Sequence, residues 1–420
     1  MARVSNRIRT ARYHLASRRG PLLTATLALI AITASAVTAT ADPAVPEGPA
    51  FYEAPAKAVA GPHGSVIRAR SITGDPGLPG ARNLLVLYRS VDPQGQPVAV
   101  SGTVAVPDGT PPPGGWPLIS WAHGTTGVAD SCAPSLDTGP GYPAHDYTAL
   151  VREVQQRWLA AGYAVAQTDY QGLGTPGPHG YLIGTTEARA VADIALAARE
   201  LDGSIGKQWA AVGHSQGGQA AVFTDAQARA WAPQLDLRGA VALAPASQTA
   251  IGVGAARLAS AVGASNALPA AFAGANAFLP LLIRGAQTVE PIDPARFLTP
   301  RSLALLPDAD TECIGALRAP GSWGGLPVDA VFSPVGDVSA FLRVLADNDP
   351  SVQRVDSPLL VLQGSADTTV PPAATEAMVT RMRVGEQPIE YRTYPGADHR
   401  GVLDASFADA LTWVNARFGR

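Results

Sequence analysis

Two apolar stretches early in the sequence have the length and composition of β-strands. They are residues 83–90 (NLLVLYRS) and 97–106 (PVAVSGTVAV). The turn-forming sequence DPQG at 92–95 lies between them, and a short connection of this kind joins antiparallel neighbours. The pattern therefore predicts a β-hairpin.

Further along, short apolar segments alternate with longer ones in which apolar residues recur every three or four positions. The helical spacing is clear at Val151, Val154 and Trp158. Alternation of strands with helices of about ten to sixteen residues predicts an α/β protein with βαβ units and a mostly parallel sheet. The predicted strands are 117–121, 163–168, 208–212, 238–243, 358–362 and 389–393, and the predicted helices are 146–161, 186–201 (capped by Thr185 or Thr186), 217–231, 373–384 and 406–418.

The segment 246–352 breaks this alternation because it contains no convincing strand pattern. Within it, residues 251–283 carry a single charge, Arg257, which raises the question of a membrane span. Pro269, Pro280 and several glycines interrupt the stretch and favour short helices over an apolar site. We therefore expect no stable membrane span in the mature chain, and we predict a helical cap at 246–352. This cap is inserted into an α/β domain formed by 42–245 and 353–420.

Charge is distributed unevenly over the 420 residues. The chain has 31 basic and 34 acidic residues in total. Residues 1–41 contain six arginines and no acidic residue, so the other 379 residues hold 25 bases against 34 acids. Because phosphate contacts need clustered Lys and Arg, this acidic body argues against nucleic-acid binding.

The first 41 residues have the organisation of a secretory signal peptide. Arginine-rich residues come first, an uncharged stretch follows at 21–38, and an Ala-Thr-Ala cleavage site ends the segment at 39–41. We therefore expect a secreted protein, and Arg18 and Arg19 partly match a twin-arginine export signal. A retained membrane anchor is the alternative, which the short run rich in Ala and Thr disfavours.

The sequence has two cysteines, Cys132 and Cys313. An oxidising destination favours a single disulfide between them, with two buried free thiols as the alternative. Two cysteines cannot supply the four ligands of a zinc site, and no phosphate-binding loop or nucleotide fingerprint occurs in the right setting. We therefore expect neither a metal nor a cofactor.

The strongest chemical signal is GHSQG at 213–217, which matches G-x-S-x-G around Ser215. This motif places a serine on a sharp turn between a strand and a helix, where side chains at the glycine positions would clash. A predicted strand precedes the motif and a predicted helix follows it, which is the context the motif requires. A glycine-rich turn with an idle serine is the alternative.

A serine hydroxyl needs a base to remove its proton and an acid to orient that base. His399 follows the last predicted strand and Asp367 follows the strand before it, so Ser215, Asp367 and His399 have the chain order of α/β hydrolases. Asp398 is a competing acid, but its adjacency to His399 favours a role in stabilising the loop. We expect His214 to pack beside the turn rather than act as the base.

The oxyanion that forms when a carbonyl is attacked requires hydrogen-bond donors in fixed positions. We expect one donor to be the backbone N–H of Gln216 and the other to come from the loop HGTTG at 123–127, with Thr125 preferred over Thr126. A plain Gly-Thr turn is the alternative. The sequence DYQGLG at 169–174 also ends a strand on the side where ligands bind, although a structural Asp169 explains it at least as well.

Together these motifs resemble the secretory lipase family of α/β hydrolases. The resemblance spans roughly residues 45–420 and rests on HGTTG (123–127), CAPS (132–135), the serine turn, GSADTTVP (364–371) and GADHRG (396–401). It implies an α/β-hydrolase fold with a helical cap, and Ser215, Asp367 and His399 as the catalytic triad. It also favours pairing of Cys132 with Cys313. Some relatives carry further cysteines near the catalytic histidine, and this sequence has none there.

The expected reaction is hydrolysis of a lipid or small carboxylic ester by a triacylglycerol lipase or carboxylesterase, through an acyl-enzyme on Ser215. An acyltransferase or a serine peptidase could use the same triad, and a non-catalytic binding protein is an alternative of a different class. The apolar cap favours medium or long acyl chains. We expect a monomer that contacts a lipid interface only transiently.

Overall fold

The first three strands form an antiparallel ribbon at one side of the sheet. The computed structural model describes residues 45–262 and 275–420, so the predicted signal peptide lies outside the described residues. The predicted hairpin is confirmed, and a strand that the sequence pattern did not reveal pairs with its outer edge. The three strands are β1 (Val66–Ser71), β2 (Ala81–Val91) and β3 (Pro97–Pro107).

The remaining strands continue this ribbon into one nine-stranded sheet. Its spatial order is β1-β2-β3-β5-β4-β6-β7-β8-β9, and every pair from β5 onwards is parallel. The predicted α/β class with a mostly parallel sheet is therefore confirmed. These strands are β4 (Trp116–Ala122), β5 (Ala164–Thr168), β6 (Ile205–His214), β7 (Asp236–Leu243), β8 (Leu359–Gly364) and β9 (Ile389–Tyr394).

Helices cover both faces of the sheet, as the burial of the parallel strands on both sides requires. Two separate apolar clusters fill the spaces between sheet and helices, one containing Trp209 and Met378 and the other containing Trp158 and Trp413. The described helices are α1 (Ala56–Val59), α2 (His145–Ala160), α3 (Gly184–Leu201), α4 (Gln216–Trp231), α5 (Thr249–Val262), α6 (Leu279–Gln287), α7 (Pro300–Leu305), α8 (Ile314–Leu317), α9 (Ser339–Asp347), α10 (Pro372–Val384), α11 (Gly401–Ala405) and α12 (Phe407–Phe418).

The start of α3 differs from the prediction. The helix begins at Gly184, ahead of the predicted cap, and neither Thr185 nor Thr186 caps it. The first helical residue packs closely against α4, since a β-carbon at Gly184 would lie 2.4 Å from the ring of Phe223. The Gly184 N–H donates to the side-chain oxygen of Asn348 at 3.0 Å, although the two residues lie far apart in the sequence.

The segment between β7 and β8 contains helices and turns, and no strand occurs in its described part. It packs around an apolar cluster of its own, in which Phe297 and Phe341 stack with ring centroids 5.6 Å apart beside Trp323. In the described residues, no helix combines the length and the apolar character needed to cross a membrane. The weakly charged stretch 251–283, for which the sequence predicts no stable membrane span, lies partly outside the described residues.

Candidate active site

Ser215 occupies a strained turn between β6 and α4. Its backbone angles, φ 61° and ψ −117°, lie outside the regions that non-glycine residues usually adopt. A β-carbon at Gly213 would lie 2.0 Å from the carbonyl oxygen of Gly217, so this glycine is required. The tight turn keeps the serine hydroxyl at the end of β6, next to the loops that follow the neighbouring strands.

His399 reaches Ser215 from the loop between β9 and α11. Its Nε2 lies 3.0 Å from the Ser215 Oγ. Because β6 and β9 both end at the same edge of a parallel sheet, residues 184 positions apart meet there. The arrangement allows the imidazole to accept the hydroxyl proton.

Asp367 follows β8 and is the third side chain in the hydrogen-bonded series that begins with Ser215 and His399. Its Oδ2 accepts a hydrogen bond from His399 Nδ1 at 2.8 Å, and its Oδ1 accepts from the backbone N–H groups of Thr369 and Val370 at 2.8 and 2.9 Å. Burial alone would raise the pKa of Asp367, but the hydrogen bonds from His399 and the two amides hold that pKa below its ordinary value. The carboxylate is therefore ionised at neutral pH and orients the imidazole.

The two competing groups beside these residues have other partners. Asp398 is turned to its own loop, where its Oδ1 accepts from the N–H groups of Arg400 and Gly401. His214 is buried between Tyr147 and the carbonyl oxygen of His399, with its Nε2 2.7 Å from that oxygen. Burial, reinforced by the nearby His399, lowers the pKa of His214 to about 3, so this ring is neutral.

The loop after β4 lies against the serine turn. Ala122 at the end of β4 pairs with Gly213 at the end of β6, so the residues that follow each strand are neighbours. A β-carbon at Gly124 would lie 3.0 Å from the carbonyl oxygen of His214. Thr125, the next residue, shares a 2.7 Å hydrogen bond between its hydroxyl and that of Tyr181. The two predicted oxyanion donors, Thr125 and Gln216, therefore belong to segments in direct contact.

A disulfide joins this loop region to the helical segment between β7 and β8. Cys132 and Cys313 have an S–S distance of 2.06 Å and a Cα–Cα distance of 5.6 Å. An isolated β-bridge joins Gly127 to Cys313, and the N–H of Ile314 donates to the carbonyl oxygen of Thr126 at 2.8 Å. The covalent bond and the backbone contacts together fix the loop that carries Thr125.

Asp169 is a structural residue in this fold. Its carboxylate is fully buried and is bound by the hydroxyl groups of Ser101 and Ser135 and by the Ser135 backbone N–H. Burial raises its pKa to about 6, although these hydrogen bonds oppose the rise. The carboxylate thus holds the segment that follows Cys132 rather than facing the serine.

A cavity of about 470 Å³ opens beside Ser215. Its wall is mostly apolar, and the helical segment supplies much of it. The apolar lining includes Tyr181, Val253, Phe278, Leu279, Leu282 and Phe332. Ser215 itself is only 7 % exposed, and it forms part of the wall of this cavity. Within the described ranges, no group of three His, Cys, Asp or Glu side chains is arranged to hold a metal ion.

Several polar residues near the turn had no signal in the sequence. Tyr181, His179 and Glu187 come from the connection between β5 and α3 and from the first turn of α3, and all three are buried. Their partners are the hydroxyl of Thr125 and the side chain of Gln216. No local motif marks them, because only the packing of this connection against α4 brings them to the site.

Comparison with known proteins gives the same fold. The model of the prolyl oligopeptidase family matches residues 340–419, which include Asp367 and His399 but not Ser215. No curated protein matches the sequence. Among solved structures, lipase A from Candida antarctica in its closed state has a TM-score of 0.67 at 20 % identity, over 90 % of this chain and 87 % of that one.

Two further solved structures have similar scores. The rice cell wall degrading esterase LipA from Xanthomonas oryzae has a TM-score of 0.63 at 18 % identity, over 84 % of this chain and 98 % of that one. A putative hydrolase from Legionella pneumophila has a TM-score of 0.60 at 18 % identity, over 80 % of this chain and 89 % of that one. The chain therefore has the α/β-hydrolase fold that its sequence predicts.

Proposed function

We propose that this protein is a secreted serine hydrolase of carboxylic esters, a lipase or carboxylesterase of the secretory lipase type. The observation that carries the proposal is the hydrogen-bonded series from Ser215 through His399 to Asp367, at the wall of an apolar cavity. The disulfide is compatible with export into an oxidising environment. Structural likeness to a lipase and to an esterase supports the same class of reaction.

The first half of the reaction forms an acyl-enzyme. His399 takes the hydroxyl proton as Ser215 Oγ attacks the ester carbonyl, and ionised Asp367 stabilises the imidazolium that results. The backbone N–H groups of Gln216 and Thr125 stabilise the oxyanion of the tetrahedral intermediate. His399 then gives its proton to the departing alcohol.

The second half repeats this proton transfer with water as the nucleophile. His399 removes a proton from water, the hydroxide adds to the acyl carbonyl, and the carboxylic acid leaves as Ser215 recovers its proton. The chain's own side chains and backbone supply every proton transfer and every donor in this scheme. Neither a metal nor a cofactor is part of it.

The segment 246–352 acts in this proposal as a cap over an α/β domain formed by 42–245 and 353–420. Its helices supply Val253, Phe278 and Leu282 to the cavity wall, and such a wall favours the acyl chain of a lipid or small ester. We expect the enzyme to work as a monomer with transient contact to a lipid interface. Rates on p-nitrophenyl esters from acetyl to long-chain acyl would separate a carboxylesterase from a lipase.

The Ser215→Ala variant tests the proposal. It should fold, lose at least about 10³-fold in kcat on p-nitrophenyl butyrate, and no longer react with a fluorophosphonate probe. Ser204→Ala, which changes a serine just before the opposite end of β6, is the matched control and should keep both properties. Full activity in Ser215→Ala would overturn the assignment.

A serine peptidase is the second candidate, because the prolyl oligopeptidase family model matches residues 340–419. The matched part carries the proposed acid and base, which an esterase and a peptidase share. Turnover of casein or of a peptide anilide by the wild type, lost in Ser215→Ala, would favour the peptidase. Turnover of esters alone would favour the esterase.

A further inference from the structure

A buried polar group lies directly behind the first turn of α4. The side-chain nitrogen of Gln216 donates to Glu187 Oε1 at 2.7 Å and also approaches His179 Nε2 at 3.1 Å. His179 Nδ1 lies 2.8 Å from the carbonyl oxygen of Gln171, which can only accept, so Nδ1 carries the proton and Nε2 accepts. Both N–H bonds of the Gln216 amide are therefore used.

Two acceptor atoms of this group remain without partners. Among the described residues, neither Gln216 Oε1 nor Glu187 Oε2 has a hydrogen bond, although both side chains are buried. A buried polar atom without a partner costs free energy. A proton on Glu187 Oε2 would make this atom a donor, and the Gln216 amide oxygen is an acceptor without a partner in the same buried group.

The surroundings of Glu187 also favour the neutral acid. Its side chain is 1 % exposed, and the described ion pairs do not include it. The titratable groups that face it are His179, Tyr170 and Tyr181, none of which is a cation at neutral pH. Burial lowers the pKa of His179 to about 3 and raises the pKa of Glu187 to about 8, although hydrogen bonds from Gln216 and Leu182 oppose the latter rise.

From this geometry we propose that Glu187 is a positioning residue of the esterase reaction, which in its neutral form holds the Gln216 side chain and thereby aims the Gln216 backbone N–H at the oxyanion. The inference rests on the proposed function. Glu187 does not touch the substrate, and its effect passes through Gln216. Ionisation would remove the donor on Oε2 and place a negative charge close to the developing oxyanion. The low dielectric constant of the interior would strengthen the repulsion between these two negative charges.

The pH dependence of kcat on p-nitrophenyl butyrate, measured from pH 6 to pH 9.5, tests the inference. The wild type should lose kcat as the pH rises above about 8. Glu187→Gln keeps an acceptor and a donor but cannot ionise, so its profile should lack this alkaline decrease. Glu187→Ala should lose about 10- to 100-fold in kcat with little change in KM, because a misaimed donor weakens the transition state and not substrate binding.

Asp225→Asn is the matched control. Asp225 is also buried on α4 with a pKa raised to about 7 by burial, but its partner is Ser357 and not the serine turn. This variant should keep the wild-type alkaline decrease. An equal decrease in Glu187→Gln, or its loss in Asp225→Asn as well, would overturn the role of Glu187, and if Glu187→Ala does not fold, Glu187→Gln still decides the question.

The outcome also separates this inference from the proposed function. Wild-type turnover that persists in Ser215→Ala, or no turnover at all, would overturn both. Ser215-dependent turnover whose alkaline decrease survives in Glu187→Gln would overturn the positioning role alone.

Discussion

Gly217 lies so close to Ala122 that a β-carbon at position 217 would be 1.9 Å from the Ala122 carbonyl oxygen. The first turn of α4 is therefore in direct contact with the end of β4 and with the loop that follows it. The glycine two residues after Ser215 is therefore required by its contact with the end of β4.

We predict that Gly217→Ala destabilises the protein by about 1–3 kcal/mol or more, because backbone atoms of β4 and α4 would have to separate. Thermal unfolding measures the loss, and ester turnover should fall with it. Gly203→Ala is the control, since a β-carbon there meets nothing within 4 Å. An unfolding temperature unchanged in Gly217→Ala would contradict the packing argument.

We predict that Asp367→Asn lowers kcat by about 10³- to 10⁴-fold, because an amide cannot stabilise the imidazolium of His399. Steady-state turnover at neutral pH measures it. Asp398→Asn, one residue from His399 but bonded to its own loop, should stay close to the wild type. A larger loss of kcat in Asp398→Asn than in Asp367→Asn would show that Asp398, and not Asp367, is the acid that orients His399.

The lowered pKa of Asp367 also has a consequence for stability. Because its folded-state pKa is below the unfolded value, ionised Asp367 contributes stability that is present above the unfolded pKa and is lost as the pH falls through the folded-state value. The Asp367→Asn variant should therefore lose less stability than the wild type on acidification below about pH 4. Chemical unfolding across this pH range measures the difference, and parallel curves for the two proteins would contradict it.

The Cys132–Cys313 disulfide should matter for both stability and turnover. Replacing both cysteines by serine should cost about 2–5 kcal/mol of stability and should also lower kcat, because the bond holds the loop that carries Thr125. Treatment with a reductant should reproduce these effects in the wild type and leave the double variant unchanged. Full kcat in the double variant would show that the loop needs no covalent support.

Tyr181→Phe removes the hydroxyl that binds Thr125 and keeps the aromatic ring in the cavity wall. We predict a decrease of about threefold to tenfold in kcat, since losing a hydrogen bond of about 0.5–1.5 kcal/mol loosens the loop that carries the proposed oxyanion donor Thr125. Tyr163→Phe is the matched control, because its hydroxyl binds Asn415 far from the serine turn. If KM rose in Tyr181→Phe while kcat stayed constant, the hydroxyl would serve substrate binding instead.

Local patterns in the sequence were enough to predict most of the strands and helices of the fold. The hairpin of β2 and β3 has a turn signal between two apolar runs, and α2 has apolar residues at helical spacing. The edge strand β1 was not predicted because Val66 and Ile67 are its only large apolar residues and none of its six residues is buried. The capping prediction for α3 was wrong because Asn348, a residue distant in sequence, accepts the hydrogen bond of the first helical N–H group.

The candidate site also contains residues that the sequence predicts and residues that only the fold brings in. Ser215, Asp367 and His399 could be named because a turn motif and the order of strands mark the loops that carry them. Glu187, His179 and Tyr181 could not, because no spacing relates them to the serine. They become part of the site only when the connection from β5 to α3 packs against α4.

By itself the sequence determined the α/β class, the three residues of the proposed triad and the cysteines available for a bond, because strand periods and turn motifs are local properties. Only the tertiary structure decided the 3.0 Å and 2.8 Å contacts of His399, the cavity of about 470 Å³ and the buried pair of Glu187 and Gln216. Those features depend on the close packing of segments that lie far apart in the chain, and each segment alone is compatible with many such arrangements.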